Sequence, residues 1–130
     1  MLDIDTIMDM LDWNNPMEVQ EKGRQFAKDI RCINVFLQPG HSGHGKNVWD
    51  NCAIILSKRT DQELTPYLDK LFEWLMDMNW PGAECILNRL KEFHGDKAIF
   101  SCILNDYIRA AELLGEENWL RVLVELRDTN

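Results

Sequence analysis

Leu64, Leu68, Leu71, Leu75 and Met78 recur in alternating steps of four and three residues. That spacing sets five large apolar side chains on one face of a helix, with Phe72 and Trp74 beside them. No stretch of the chain alternates apolar and polar residues firmly enough to read as a strand. A chain patterned this way must bury helix against helix, so the predicted fold class is all-α.

The same period runs along most of the sequence. Ile4, Ile7, Met8 and Leu11 predict a first amphipathic helix, ended by "DWNNP". Asn15 is a suitable N-cap and Pro16 suits the first helical position, where its missing amide costs nothing. Val19, Gly23, Phe26, Ala27 and Ile30 give the second helix its face. Asn47 can cap a third, carrying Val48, Trp49, Cys52, Ala53, Ile55 and Leu56. The Leu64–Met78 helix starts at Asp61 or Thr65, with Pro66 tolerated in its first turn. "NWPG" stops it and opens a helix whose inner face is Ile86, Leu90 and Phe93. Ala98 to Leu114 follows, read through Ile99, Ile103, Tyr107, Ala110 and Leu114, and Gly115 ends it. "ENWLRVLVELR" is the last helix, making about seven.

Trp13, Trp49, Trp80 and Trp119 stand 36, 31 and 39 residues apart, the first three at or near a helix start and Trp119 after a similar turn. A helical hairpin cannot bury its apolar face alone, and stacked hairpins can; a period near 40 residues is that of HEAT-type repeats. The expected architecture is one domain over residues 1–130, a short HEAT-like α-solenoid of about three stacked helical hairpins. The rival is an irregular helical bundle. In either, the tryptophans pack the corners.

Charge narrows the partners. The 130 residues carry a net charge of −8. That opposes binding to nucleic acid and to anionic membranes, and favours a basic protein partner. The acidic start "MLDIDTIMDM" lacks the basic residues and apolar run of a secretory signal. No apolar stretch approaches the roughly 20 residues of a membrane helix. A cytoplasmic location is expected. Cys32, Cys52, Cys85 and Cys102 show no C-x-x-C spacing and read as reduced, buried small hydrophobes.

"QPGHSGHGKNVWDN" imitates a phosphate-binding loop, because Gly40, Gly45 and Lys46 match G-x-x-x-x-G-K and "CINVFL" could pass for the strand before it. The motif needs a Ser or Thr after the lysine for magnesium, and a parallel sheet. Asn47 stands at that position, and no second strand is visible. His41 and His44, with His94 elsewhere, lack a fixed third ligand for a metal. The loop reads as a surface segment. No cysteine sits beside a recognisable activating histidine, and no G-x-S-x-G occurs. The sequence makes no positive case for an enzyme and implies no cofactor.

Residues 36–93, and above all "LDKLFEWLMDMNWPGAECILNRL" with its E-W-L-x-D-x-N-W-P-G-A pattern, resemble a family of small bacterial proteins of unknown function with a HEAT-like helical fold. Proteins similar to these often serve as immunity proteins that bind and block polymorphic or contact-dependent toxins. The resemblance implies a non-enzymatic immunity protein whose partner is a basic toxin domain encoded next door. A general HEAT-like adaptor for another protein is the alternative, and a small nucleotide-binding protein or hydrolase the third reading. The candidate partner contacts, chosen around the helix corners, are Trp49, Asp50, Asp61, Asp77, Trp80 and Glu84. For Asp77, capping the following helix is the competing structural role.

Overall fold

Three helix starts in this chain are set by short polar side chains that accept the first unpaired amides. Asp3 accepts from the Thr6 amide at 2.8 Å and Asp96 from the Ile99 amide at 3.1 Å. Thr60 and Glu63 form a reciprocal capping box. The computed structural model describes residues 3–39 and 45–129. Every regular element among them is helical: α1 (Ile4–Met10), α2 (Met17–Ala27), α3 (Trp49–Ser57), α4 (Asp61–Leu64), α5 (Leu68–Trp74), α6 (Ala83–Lys91), α7 (Lys97–Leu114) and α8 (Glu117–Thr129). Short 3-10 turns lie at Ile33–Phe36, Lys46–Val48 and Thr65–Tyr67. No described helix is long and apolar enough to cross a membrane.

The helices pack in the spatial row α1, α2, α3, α6, α8, α7, with α5 lying against both α6 and α7. Two pairs, α1/α2 and α7/α8, are hairpins of consecutive helices. The strongest pairing between them joins α3 to α6, across the α4–α5 segment. One hydrophobic cluster runs through all of these elements, from Ile7 to Leu126. The faces predicted for α1, α3, α5 and α6 are the buried ones: Ile7, Met8, Leu11, Cys52, Leu56, Leu68, Leu71, Leu75, Ile86 and Leu90 are all essentially inaccessible.

"CINVFL", which could have passed for a strand, forms a 3-10 turn at Ile33–Phe36. Several local predictions are corrected. Pro16 itself occupies the N-cap position of α2. Asn15 instead donates from Nδ2 to the carbonyl of Asp9 at 2.7 Å, closing the end of α1. Asn47 leaves α3 uncapped and donates to Asp12 at 2.6 Å. The Leu64–Met78 helix is interrupted by the 3-10 turn over Pro66 and ends at Trp74. Its proline lacks the amide that a continuous helix would need.

In α7 the buried face is Phe100, Leu104, Ile108 and Ala111, one residue on from the predicted register. Phe100 is drawn inward because its ring stacks on Phe93 at 5.0 Å and meets Phe72 edge-on at 5.4 Å. Ile99 and Leu114 are left exposed. In α2, Phe26 is exposed and Gln20 takes a buried place. All four cysteines are free thiols. Cys52 is buried, Cys85 is half-buried, and Cys32 and Cys102 are exposed, so burial describes only part of the set.

Candidate functional site

The predicted contacts gather mainly at the corner between α5 and α6, built from residues 75–82. The Asp77 side chain accepts from the Asn79 amide at 2.9 Å, and its carbonyl accepts from the Trp80 amide at 3.0 Å. Asp77 therefore shapes its own turn and does not cap α6. The residue before α6 is Gly82, at φ +85°. A Cβ added there would lie 2.7 Å from the Ala53 Cβ and 2.9 Å from the Trp49 carbonyl oxygen. Both conformation and space require glycine at this point.

Three indoles meet behind the turn. Trp74 is fully buried and donates from Nε1 to the Pro81 carbonyl at 3.0 Å. Trp49 packs edge-on against Trp80 with centroids 5.7 Å apart, and against Trp74 at 6.3 Å. Lys46 stands 5.8 Å from the Trp49 ring, a cation–π placement. The Trp49 Nε1 is buried with no hydrogen-bond partner among the described residues. Trp49 is thus part of the core, whereas half-buried Trp80 keeps one side toward solvent.

Asp50 and Glu84 are both exposed in the first turns of α3 and α6, where negative charge is favoured by the helix dipole. Asp50 raises the half-buried Cys85 thiol further above its ordinary value, adding to burial, the larger cause, while a bond to Ser57 opposes both. Asp61 stands apart from the other candidates. Its carboxylate binds Arg89 and accepts from the His94 amide at 3.0 Å, tying α4 to the far end of α6. Burial would raise that carboxyl, but the Arg89 and His94 interactions outweigh it and hold it below its ordinary range.

Beside Asp77 lies an open depression of about 670 Å³ shared with Met76, Met78, Glu116, Glu117 and Arg121. Glu116 and Glu117 come from the α7–α8 corner, roughly 40 positions away along the chain. Nothing local in the sequence pairs them with Asp77; the packing of α5 on α7 does. Along the same side, Asp69 and Glu73 sit one helical turn apart on α5. The Tyr107 hydroxyl is pushed up to about 12, by burial first and then by the charges of Glu73 and Asp69. Residues 61–130 hold 14 acidic and seven basic side chains, a net −7, whereas residues 1–60 hold eight and seven. The acidity of the chain is therefore concentrated in the half that builds this corner.

The motif-bearing corner also falls inside a recognised domain. The sequence profile of a domain of unknown function, DUF5071, matches residues 45–125, more than half of the chain. The chain belongs to the DUF5071 family. No curated protein and no solved structure matches it. The DUF5071 segment includes α3 to α7 and most of α8, and hence all six candidate contacts. Among the described residues, no group of three or more His, Cys, Asp or Glu side chains could hold a metal ion. His41 and His44 lie outside the described residues.

Proposed function

We propose that this DUF5071 protein is a non-enzymatic bacterial immunity protein, acting in the cytoplasm, that binds and neutralises a cognate toxin. The observation that carries the reading is the acidic corner: Asp77, Glu116 and Glu117 line one depression with Met76, Met78 and a single cation, Arg121. Methionines adapt their shape to a partner, and exposed carboxylates steer a basic surface into contact. The resemblance carried by E-W-L-x-D-x-N-W-P-G-A supports the same reading, because that motif builds this corner. Trp80 belongs to the same turn and Glu84 to the first turn of α6 that follows it, whereas Asp50 lines a different cavity with Trp13 and Arg24. Asp61 is given a structural role. The hairpins α1/α2 and α7/α8, flanking α3 and α6, are read as a short HEAT-like stack presenting the corner.

The test is co-expression with the product of the adjacent gene. The two proteins should co-purify, the neighbour should kill cells when expressed alone, and the complex should weaken as salt rises. Glu116→Lys combined with Glu117→Lys should weaken the complex at least tenfold without altering the fold, since both side chains are exposed. A harmless neighbour that does not co-purify would move the assignment to a general helical adaptor.

A further inference from the structure

Between the ends of α2 and α3 the electrostatics reverse. A cavity of about 380 Å³ opens between the C-terminal ends of α2 and α3. Ile54 and Ile55 form its floor, and Arg24, Lys28, Lys58 and Arg59 its walls. One carboxylate lines it, Glu63, and that group pairs with Arg59 at 3.0 Å. Arg59 also donates to the carbonyls of Ala27 and Ile30 at 2.7 and 2.8 Å, closing the end of α2. Among the described residues, Arg24, Lys28 and Lys58 make no ion pair.

Arg24 is the informative member. It is half-buried, and its guanidinium is fixed by donation to the Asn51 side-chain oxygen. Asn51 is only 3% exposed and is itself locked by donating to the Leu11 carbonyl at 2.7 Å and the Gln20 side-chain oxygen at 2.9 Å. The cation is therefore oriented by neutral amides and, among the described residues, makes no ion pair, with N–H donors remaining. Partial burial of an uncompensated charge is costly, and an incoming anion relieves that cost. A second cavity of about 410 Å³ adjoins the first, sharing Arg24 and Ile54 and lined also by Trp13, Met17 and Asp50. Both volumes lie in the range of small-molecule sites.

We propose that this furrow binds a small amphipathic organic anion. Its oxyanion head is held by Arg24, Lys28 and Lys58, and its apolar chain or ring lies over Ile54 toward Trp13 and Met17. The site is independent of the acidic corner and of the immunity reading.

The test is a titration of the intact protein with octanoate and, separately, octyl phosphate, followed by the amide chemical shifts of Ile54 and Ile55. Acetate and octanol, the two halves of the probe, are the comparison arms. Saturable binding of either amphipathic anion, at least tenfold tighter than acetate and than octanol, supports the proposal. Lys28→Gln with Lys58→Gln should weaken that binding at least fivefold. Neither exposed lysine holds the fold, so the melting temperature should not move. Octanol binding as well as octanoate, an unchanged affinity in the double variant, or no saturation by either anion overturns it. Tighter binding of a short acidic peptide than of either anion also overturns it, in favour of a protein docking surface.

Discussion

The corner at residues 11–16 and the corner at residues 77–82 both carry a tryptophan and a proline ahead of a helix, and they are closed by different chemistry. At the first, polar side chains do the closing. Asn47 binds Asp12, Asn15 binds the Asp9 carbonyl, Gln20 binds the carbonyls of Trp13 and Asn15, and Asn51 binds the Leu11 carbonyl. Trp13 takes no part through its ring and remains 46% exposed. At the second corner, indoles and a left-handed glycine do the same work, with Trp74, Trp49 and Trp80 packed around Gly82. A shared tryptophan position thus corresponds to two unrelated solutions. Buried amides specify one corner by direction, and aromatic rings specify the other by shape.

The largest effect should come from Gly82→Ala. A left-handed backbone and a Cβ pressed against Ala53 and the Trp49 carbonyl should together cost about 3 kcal/mol in urea unfolding. A loss under about 1 kcal/mol would mean that the α3–α6 contact is looser than described. Trp80→Ala should follow at about 2 kcal/mol, below the full range for a buried aromatic because one side of the ring is open. An unchanged melting temperature would remove Trp80 from the packing and leave it to recognition alone.

At the polar corner, Asn51→Ala should cost about 2 kcal/mol, since it strands the Leu11 carbonyl and the Gln20 oxygen. Amide hydrogen exchange should then speed up in α1 and the start of α2, and not at α6. Equal acceleration in both regions would erase the distinction between the corners. Trp13→Ala should be the mildest, under about 1 kcal/mol, because surface substitutions seldom cost more. A melting curve shifted as far as that of Trp80→Ala would contradict the contrast directly.

Parts of this arrangement are legible in the sequence for a plain reason. In α1, α3, α5 and α6 the large apolar residues keep a single helical stripe, so only one face can be buried, and the predicted one is. The actual roles of Asn15 and Asn47 were not legible, because each suits a cap for the helix after it and each bonds instead to residues before it. Asn47 finds Asp12, 35 positions earlier. The α7 register was ambiguous because Ile99, Phe100, Ile103 and Leu104 offer two overlapping stripes. Contact with Phe72 and Phe93 decides between them. The conjunction of Asp77 with Glu116 and Glu117, and the cationic furrow around Arg24, are likewise products of packing between distant segments.

By itself the sequence determined that this protein is helical, where most of its helices begin, and which stripe of four of them is buried. These follow from spacings within a few turns, the range over which side chains on one helix interact. Only the tertiary structure decided which helices pair, how α7 is rotated, and which charges share a surface. Those outcomes depend on ring contacts and hydrogen bonds between residues far apart in the chain, and no local period encodes them.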